Sequence, residues 1–267
     1  MNRIKLFGIV SVVLSFFLFT ISSGAALGAD QLSVIKKRGT IIVGTSADYP
    51  PFEFVDDIGN FDGFDMDLIR QIAKRLGLKV KIKDMGFDTL IAAVQRKKID
   101  VVVAAMQGTA ERDKKIDFSI PYNYVSDAFL VSKSSNIHMK TATDAKGARI
   151  GVQTGTIQEN WVRDHLIKKG LMSEDQLFRY ERVDSAGLDL KAGRIDIVLI
   201  QHKPAKNLVS KMGGLRIALV TNETVAAGQC IALPEGEKAL KAELDRIITQ
   251  LKKEGWIKQQ IRKWKVD

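Results

Sequence analysis

Apolar residues in the first half of the chain alternate between the spacing of a strand and that of a helix. The pattern predicts strands over 40–45, 78–82 and 100–105, separated by helices over 64–76 and 87–94. The last of these strands is almost wholly apolar, as is typical of a strand that is covered on both faces. A β-α-β-α-β order of this kind predicts a parallel sheet flanked by helices.

The same alternation begins again in the second half of the chain. It predicts, in chain order, a strand over 148–152, a helix over 157–169, a strand over 177–182, a helix over 185–192 and a strand over 195–200. The segments at 98–103 (Lys-Ile-Asp-Val-Val-Val) and 194–199 (Arg-Ile-Asp-Ile-Val-Leu) occupy the same place in the two halves, each after a helix. Chance also produces short echoes of this kind, but the matching context favours a duplicated architecture. Helices over 240–251 and 256–264 close the chain.

Two α/β lobes leave a crevice between them, and this crevice is the expected place for a ligand. In open parallel sheets, ligands bind beyond the carboxyl ends of the strands, and small-molecule sites favour the interface between domains. The residues that follow each predicted strand are therefore the candidates for function.

The first 29 residues differ from the rest of the chain. Arg3 and Lys5 precede an uncharged run over 6–21, and small residues follow as far as Ala29. This order is typical of a secretory signal peptide, and we place the cleavage after Ala29. An uncleaved anchor helix is the alternative, because about 20 apolar residues can span a bilayer.

Composition and charge exclude several classes of protein. The chain has 267 residues, 45% hydrophobic and 27% charged, which are ordinary globular values. A single cysteine, Cys230, excludes an internal disulfide and a cysteine-clustered metal site, so we expect no metal and no cofactor. Removal of residues 1–29 leaves 39 Lys and Arg against 31 Asp and Glu, a formal net charge of +8. The basic residues are spread evenly, so we expect a solvated basic surface and no nucleic-acid partner.

Distinctive side chains follow the first and third predicted strands. Pro50 and Pro51 stiffen the loop that presents Tyr49, which either faces the crevice or caps the core. Thr109 is a candidate N-cap, and Arg112 lies in the first turn of the helix that it would begin. A guanidinium offers two parallel hydrogen bonds to a carboxylate, which makes Arg112 a candidate ligand group. The alternative is a surface arginine paired with a neighbouring acid.

The segment 151–158 (Gly-Val-Gln-Thr-Gly-Thr-Ile-Gln) leads from a strand through a glycine turn into a helix. Backbone N–H groups at such a helix start can bind an anion. The segment has neither the ending of a nucleotide P-loop nor the dinucleotide pattern G-x-G-x-x-G, so a carboxylate suits it as well as a phosphate. An ordinary helix start capped by Thr156 is the alternative. No nucleophile elbow or spaced pair of carboxylates is present, and we predict no catalytic residue.

Together these segments resemble the polar amino-acid solute-binding proteins of ABC importers. The motifs that carry the resemblance are, in order, GTSADYPPFEF at 44–54, DGFDMDL at 62–68, FDTLI at 87–91, TAER at 109–112, DFSIPY at 117–122 and GVQTGT at 151–156. The likeness extends over essentially the whole exported chain. It implies the α/β type II periplasmic binding protein fold, with two lobes that are each a mainly parallel sheet flanked by helices.

The resemblance also implies how the chain is divided. Lobe 1 would comprise 30–128 plus 226–267, and lobe 2 would comprise 133–222. The hinges would lie near 128–132 and 225–230. Proteins of this family close around the ligand by a hinge motion.

Five residues are implied to hold the carboxylate and the side chain of a ligand. Arg112 would clamp the carboxylate, with matching backbone contacts from Thr156 and Ile157. Tyr49 and Phe87 would form the aromatic pair on either side of the ligand's side chain.

Four further residues are implied at the two other ends of the ligand. Ala105, through its carbonyl, and Gln107 would receive the α-amino group. Ser46 and Gln153 would face the end of the ligand's side chain.

Position 201 departs from the family pattern. Gln201 stands where an aspartate usually pairs with the ligand's ammonium, and a one-residue slip in the alignment would bring no acid there. A buried ammonium without a compensating charge is costly. The ligand is then either a carboxylate without a charged amine or one whose amine is held elsewhere. The sequence does not tell in which direction the acids Asp48 and Glu53 point.

The resemblance predicts the function as well. The exported protein would be a monomer in the periplasm that captures an amino acid or related small carboxylate and delivers it to the membrane permease of an ABC transporter. One alternative is an enzyme on the same fold that resembles cyclohexadienyl dehydratase, for which no general acid is placed. The other is a stand-alone sensory ligand-binding protein.

Overall fold

The computed structural model describes residues 30–225 and 227–266. The predicted signal peptide over 1–29 lies outside these residues, as do Ala226 and Asp267, which belong to the expected lobe 1. None of the helices in the described part of the chain is long and apolar enough to cross a membrane.

The described residues form two five-stranded sheets and one three-stranded sheet. The strands are β1 (Thr40–Thr45), β2 (Asp48–Tyr49), β3 (Glu53–Val55), β4 (Phe61–Asp62), β5 (Lys79–Asp84), β6 (Val101–Val102), β7 (Asp117–Phe118), β8 (Asp127–Ser132), β9 (Ile150–Gln153), β10 (Leu177–Tyr180), β11 (Ile197–Gln201), β12 (Leu215–Thr221) and β13 (Ala232–Leu233). The α-helices are α1 (Gln31–Arg38), α2 (Phe64–Leu76), α3 (Leu90–Gln95), α4 (Ala110–Asp113), α5 (Ile157–Val162), α6 (Val183–Lys191), α7 (His202–Met212), α8 (Lys238–Lys253) and α9 (Trp256–Trp264). Helix α5 continues as a π-helix over Arg163–Ile167.

The first sheet has the strand order β5-β1-β6-β13-β7. Strand β1 pairs in parallel with β5 and β6, and β13, from late in the chain, pairs antiparallel with β6 and β7. Helix α2 buries Leu68, Ile69 and Ile72 in the core of this lobe. It begins and ends where the apolar spacing predicts. It ends there because Gly77, just after its last residue, adopts a left-handed φ of 68°.

The second sheet has the order β10-β9-β11-β8-β12. Strands β9, β10 and β11 are parallel, while β8 and β12 are antiparallel to their neighbours. The two sheets share their first four strands in arrangement. In each, three parallel strands are followed by an antiparallel strand that comes after a crossover, β13 in the first sheet and β8 in the second. The predicted fold class, two α/β lobes with related sheets, is therefore confirmed.

Several elements differ from the predicted ones. Strand β6 contains only Val101 and Val102, because the chain leaves the sheet as it approaches Ala105, which has a φ of +47°. Helix α7 and strand β12 were not predicted. Pro204 lies in the first turn of α7, where its missing N–H group costs no hydrogen bond.

Strand β8 covers the segment that the resemblance takes as the first hinge. Its six residues pair with β11 and β12 inside the second sheet. We propose that the chain first crosses between the lobes at 123–126, ahead of β8. Asn123 Nδ2 donates to Gln229 Oε1 at 2.9 Å, so the two crossovers lie side by side.

Candidate ligand-binding site in the cleft between the lobes

All ten residues implied by the resemblance line one cavity between the lobes. They are Ser46, Tyr49, Phe87, Ala105, Gln107, Arg112, Gln153, Thr156, Ile157 and Gln201. About 340 Å³ of space not filled by atoms, part of it open to solvent, lies among these residues. The structure brings these residues together, and their contact with a ligand stays a prediction.

Arg112 lies on the lobe 1 side of this cavity. Thr109 Oγ1 accepts a hydrogen bond from the Arg112 N–H at 3.3 Å, which confirms Thr109 as the N-cap of α4. The guanidinium donates from Nη1 to Gln107 O and from Nη2 to Gly155 O, both at 2.9 Å. Its carbon lies 5.4 Å from the centre of the Phe87 ring. Because a guanidinium has five N–H donors, three remain for a carboxylate.

Arg112 is buried and makes no salt bridge within the described residues. The side chain is only 8% exposed, and no described acid lies within salt-bridge distance of it. Burial lowers the pKa of Arg112 to about 10. The alternative of a surface arginine paired with a neighbouring acid is therefore excluded.

The start of α5 faces Arg112 from the other lobe. Thr156 Oγ1 accepts from the Glu159 N–H at 3.3 Å and donates to Gln153 O at 2.7 Å. Thr156 is thus an N-cap, and the first N–H groups of the helix have no partner within the helix. Gly155, with a φ of +76°, brings this turn against lobe 1.

Tyr49 both faces the cleft and packs on the core. Its ring stacks on Phe52 at 6.4 Å between centroids, and its hydroxyl accepts a hydrogen bond from the Gln201 N–H at 3.0 Å. Since Tyr49 and Gln201 belong to different lobes, this bond forms only when the lobes are together.

Replacement of Tyr49 by phenylalanine should weaken ligand binding by about 1 kcal/mol, roughly fivefold. The closed form would then bury the Gln201 N–H without an acceptor, while an open form leaves it to water. Isothermal titration calorimetry measures the loss. Tyr180→Phe is the matched control, because the Tyr180 hydroxyl donates to Asp189 at 2.9 Å within lobe 2. Equal losses of affinity in the two variants would contradict this role for Tyr49.

Gln201 belongs to a chain of buried amides that reaches the crossovers. Its Nε2 donates to Ala105 O at 3.1 Å, and its Oε1 accepts from Gln229 Nε2 at 2.9 Å. Asn123 then donates to Gln229. Because the Ala105 carbonyl can only accept, the direction of every amide in this chain is determined. Gln201 thus occupies the carbonyl that the resemblance assigns to the ligand's α-amino group.

Asp48 and Glu53, whose directions the sequence does not predict, have different surroundings. Asp48 is not among the lining residues, and it accepts from the Val183 N–H at the start of α6 in lobe 2 at 2.7 Å. It also accepts from Ser46 Oγ at 2.9 Å, and burial is the main cause that raises its pKa. Glu53 lines the cavity.

Two buried side chains at the cavity have polar atoms without a partner. Both Gln107 Oε1 and Gln107 Nε2 lack a hydrogen bond, as does Glu53 Oε2. Buried polar atoms are normally satisfied, so these three atoms are open to a further hydrogen bond.

Sequence reasoning missed three residues of the lining, Glu53, Ala104 and Gln158. Ala104 and Gln158 each adjoin a predicted residue in the chain. Glu53 had a signal as well, because an antiparallel β2–β3 pair places it directly opposite Tyr49.

Comparison with known proteins identifies the family. A family model described as bacterial extracellular solute-binding proteins, family 3, matches residues 41–267. The chain belongs to this family. The family 3 protein described here is 34% identical over 235 residues to the L-cystine-binding protein TcyJ of Escherichia coli (strain K12), covering 87% of this chain and 85% of the relative.

Solved structures of family 3 relatives share the fold. An ancestral arginine-binding protein bound to arginine has a TM-score of 0.78 and 36% identity, covering 85% of this chain and 98% of the other. The ancestral amino acid-binding protein AncCDT-1, a precursor of cyclohexadienyl dehydratase, has a TM-score of 0.78 and 31% identity, covering 87% of this chain and 98% of the other. These matches confirm the type II periplasmic binding protein fold.

Proposed function

We propose that this family 3 protein captures an amino acid or closely related carboxylate between its lobes and delivers it to the membrane permease of an ABC transporter. The observation that carries the proposal is Arg112, a buried guanidinium without an acid, which faces the start of α5 across the cavity. A ligand carboxylate would fit between them and hold the lobes together. The cystine- and arginine-binding relatives support an amino-acid ligand.

The contacts between the lobes support capture by closure. Arg112 to Gly155, Tyr49 to Gln201 and Asp48 to Val183 are all bonds between lobe 1 and lobe 2. Each is made of groups that would meet water if the lobes parted. A ligand that binds both lobes would shift the protein toward this closed form.

The remaining parts of the proposal follow from the family and the leader pattern. The protein would act in the periplasm after removal of residues 1–29, as a monomer and without catalysis. An amino acid held between Tyr49 and Phe87 would be released when the permease separates the lobes.

The test is a thermal-shift panel on the mature protein, unfolded and refolded first to remove any ligand carried through purification. The panel holds the standard amino acids, L-cystine, their 2-oxo acids, small dicarboxylates, arogenate and prephenate. A ligand at 100 times its dissociation constant adds about 2.7 kcal/mol to stability. For a chain of this size we expect a shift of roughly 5 °C or more.

A shift with one group of carboxylates would support the proposed function. No shift with any carboxylate would contradict it. Consumption of arogenate or prephenate would favour the dehydratase alternative instead.

A further inference from the structure

The cavity has one basic and one acidic side chain in its described lining. Arg112 is the basic one, and Glu53, on the same lobe, is the acidic one. Glu53 is only 1% exposed, and no donor reaches its Oε2. A buried carboxyl oxygen without a partner is costly unless a bound group compensates it.

Gln201 cannot compensate the positive charge of a ligand nitrogen. Its amide is held at both ends, with Nε2 on Ala105 O and Oε1 on Gln229 Nε2. A positively charged nitrogen near Gln201 would meet a donor already bound to the Ala105 carbonyl. The amide also carries no charge with which to compensate an ammonium.

The other nearby acids are committed to protein groups. Asp65 accepts from the Ala105 N–H at 2.6 Å and from the Tyr122 hydroxyl at 2.9 and 3.0 Å. Asp48 caps α6 through the Val183 N–H. Glu53 is the acidic side chain of the described lining; its carboxyl hydrogen-bonds with that of Asp65, and its Oε2 has no hydrogen-bond partner.

Resting on the proposed function, we propose that Glu53 is the counter-charge for the positively charged nitrogen of the ligand, the part that an aspartate at position 201 plays in the family pattern. The cavity would then take a zwitterion. The ligand's carboxylate lies at Arg112, and its cationic nitrogen lies toward Glu53. Gln107 Oε1, which has no partner, is a second acceptor for that nitrogen.

This arrangement couples ligand binding to a proton. Burial, followed by the negative charges of Asp65 and Asp48, raises the pKa of Glu53 well above its usual range. Burial raises the pKa of Asp65 to about 7, and the Tyr122 hydroxyl bonded to it favours its ionised form. Burial and the hydrogen bond between these two carboxyls therefore favour the protonated form of Glu53 in the closed form without ligand.

Two arginines lie at this cavity or beside the neighbouring acids. Arg112 lines the same cavity, and Arg182 lies 3.8 Å from Asp48. Neither makes a salt bridge to Glu53 in the described structure. A cation beside Glu53 favours its ionised form, so binding releases the proton.

The direction of the pH dependence follows from this release. Below the pKa of Glu53 in the ligand-free protein, each decrease of one pH unit should weaken the binding of an amino acid by up to tenfold. Above that pKa the affinity should be constant. A 2-oxo acid has no α-ammonium, so its binding should release no proton unless its side chain is cationic.

The experiment is titration calorimetry at pH 6 in two buffers of different ionisation enthalpy, which counts the protons released. The probes are L-cystine, the standard amino acids except histidine, which titrates in this range itself, and their 2-oxo acids. We expect amino acids to release protons when they bind to the wild type. In Glu53→Gln we expect no release and binding weaker by about thirtyfold or more, as for a buried charge pair that loses one partner.

Two further variants separate this role from a structural one. Gln201→Asp combined with Glu53→Gln returns an acid to the family position, and it should recover much of the lost affinity. Asp127→Asn removes another buried carboxyl, whose pKa burial raises to about 6, and it should keep the proton release. Thermal unfolding of each variant without ligand shows whether it is folded, and the proton count on the wild type does not depend on any variant.

The inference is overturned if amino acids bind the wild type without releasing a proton, if Glu53→Gln binds them unchanged, or if only 2-oxo acids bind. In each of these cases a carboxylate still binds and the proposed function stands. Failure of the proposed function looks different, because then no carboxylate binds at all.

Discussion

Replacement of Arg112 by alanine should weaken ligand binding by at least about 2 kcal/mol, roughly thirtyfold. The guanidinium is buried, has three unused N–H donors and has no acid of its own. A charge-assisted pair with a carboxylate in such a site is worth more than an exposed ion pair, and removal of one partner leaves the other unpaired. Titration calorimetry with the amino acid that gives the largest thermal shift measures the loss.

The variant Arg262→Ala is the control for this prediction. Arg262 is an exposed arginine of α9. Its loss should leave the affinity unchanged. If Arg112→Ala binds as tightly as Arg262→Ala, the carboxylate is held elsewhere and Arg112 is not its clamp.

Replacement of Gly155 by alanine should weaken binding by about 2 kcal/mol through a different cause, an obstacle to closure. A Cβ on Gly155 would lie 3.0 Å from both Cα and Cβ of Asp88, which belongs to the other lobe. Backbone atoms cannot move aside as a flexible side chain can, and overpacking of this kind costs about 1–3 kcal/mol. The clash exists only when the lobes are together, so it should lower the affinity for ligand.

The variant Gly193→Ala provides a matched control. Gly193 has a φ of +73°, close to the +76° of Gly155, but a Cβ there meets nothing within 4 Å. Both variants should lose about 1 kcal/mol of folding stability from the left-handed backbone, measured by urea unfolding. Only Gly155→Ala should lose affinity, and a similar loss in Gly193→Ala would show that strain rather than blocked closure is responsible.

Much of the fold could be predicted from local patterns. Helices α2 and α9 have the predicted bounds because apolar spacing and, for α2, a terminal glycine define them within a few residues of chain. Strand β6 was predicted too long, because its apolar run continues past the point where the chain turns into the cleft. Helix α7 is amphipathic but begins with polar residues directly after β11. The hydrophobic pattern therefore shows no boundary between the strand and the helix.

The residues of the candidate site could be named, but their bonds could not. The resemblance placed Gln201 at the cavity, yet its bonds to Ala105 and Gln229 depend on residues that are 96 and 28 positions away. The direction of Asp48 depends on its bond to the Val183 N–H of lobe 2, and that of Glu53 on its hydrogen bond with Asp65. Contacts of this kind follow from the packing of the two lobes and leave no periodic signal in the sequence.

The most direct test of the account is a crystal structure of the mature protein with the amino acid that gives the largest thermal shift. The account predicts the ligand in the cavity between the lobes, with both carboxylate oxygens within hydrogen-bond distance of the Arg112 guanidinium and its cationic nitrogen toward Glu53. Gln201 should keep its bonds to Ala105 and Gln229. A carboxylate that lies away from Arg112, or a ligand bound outside this cavity, would contradict it.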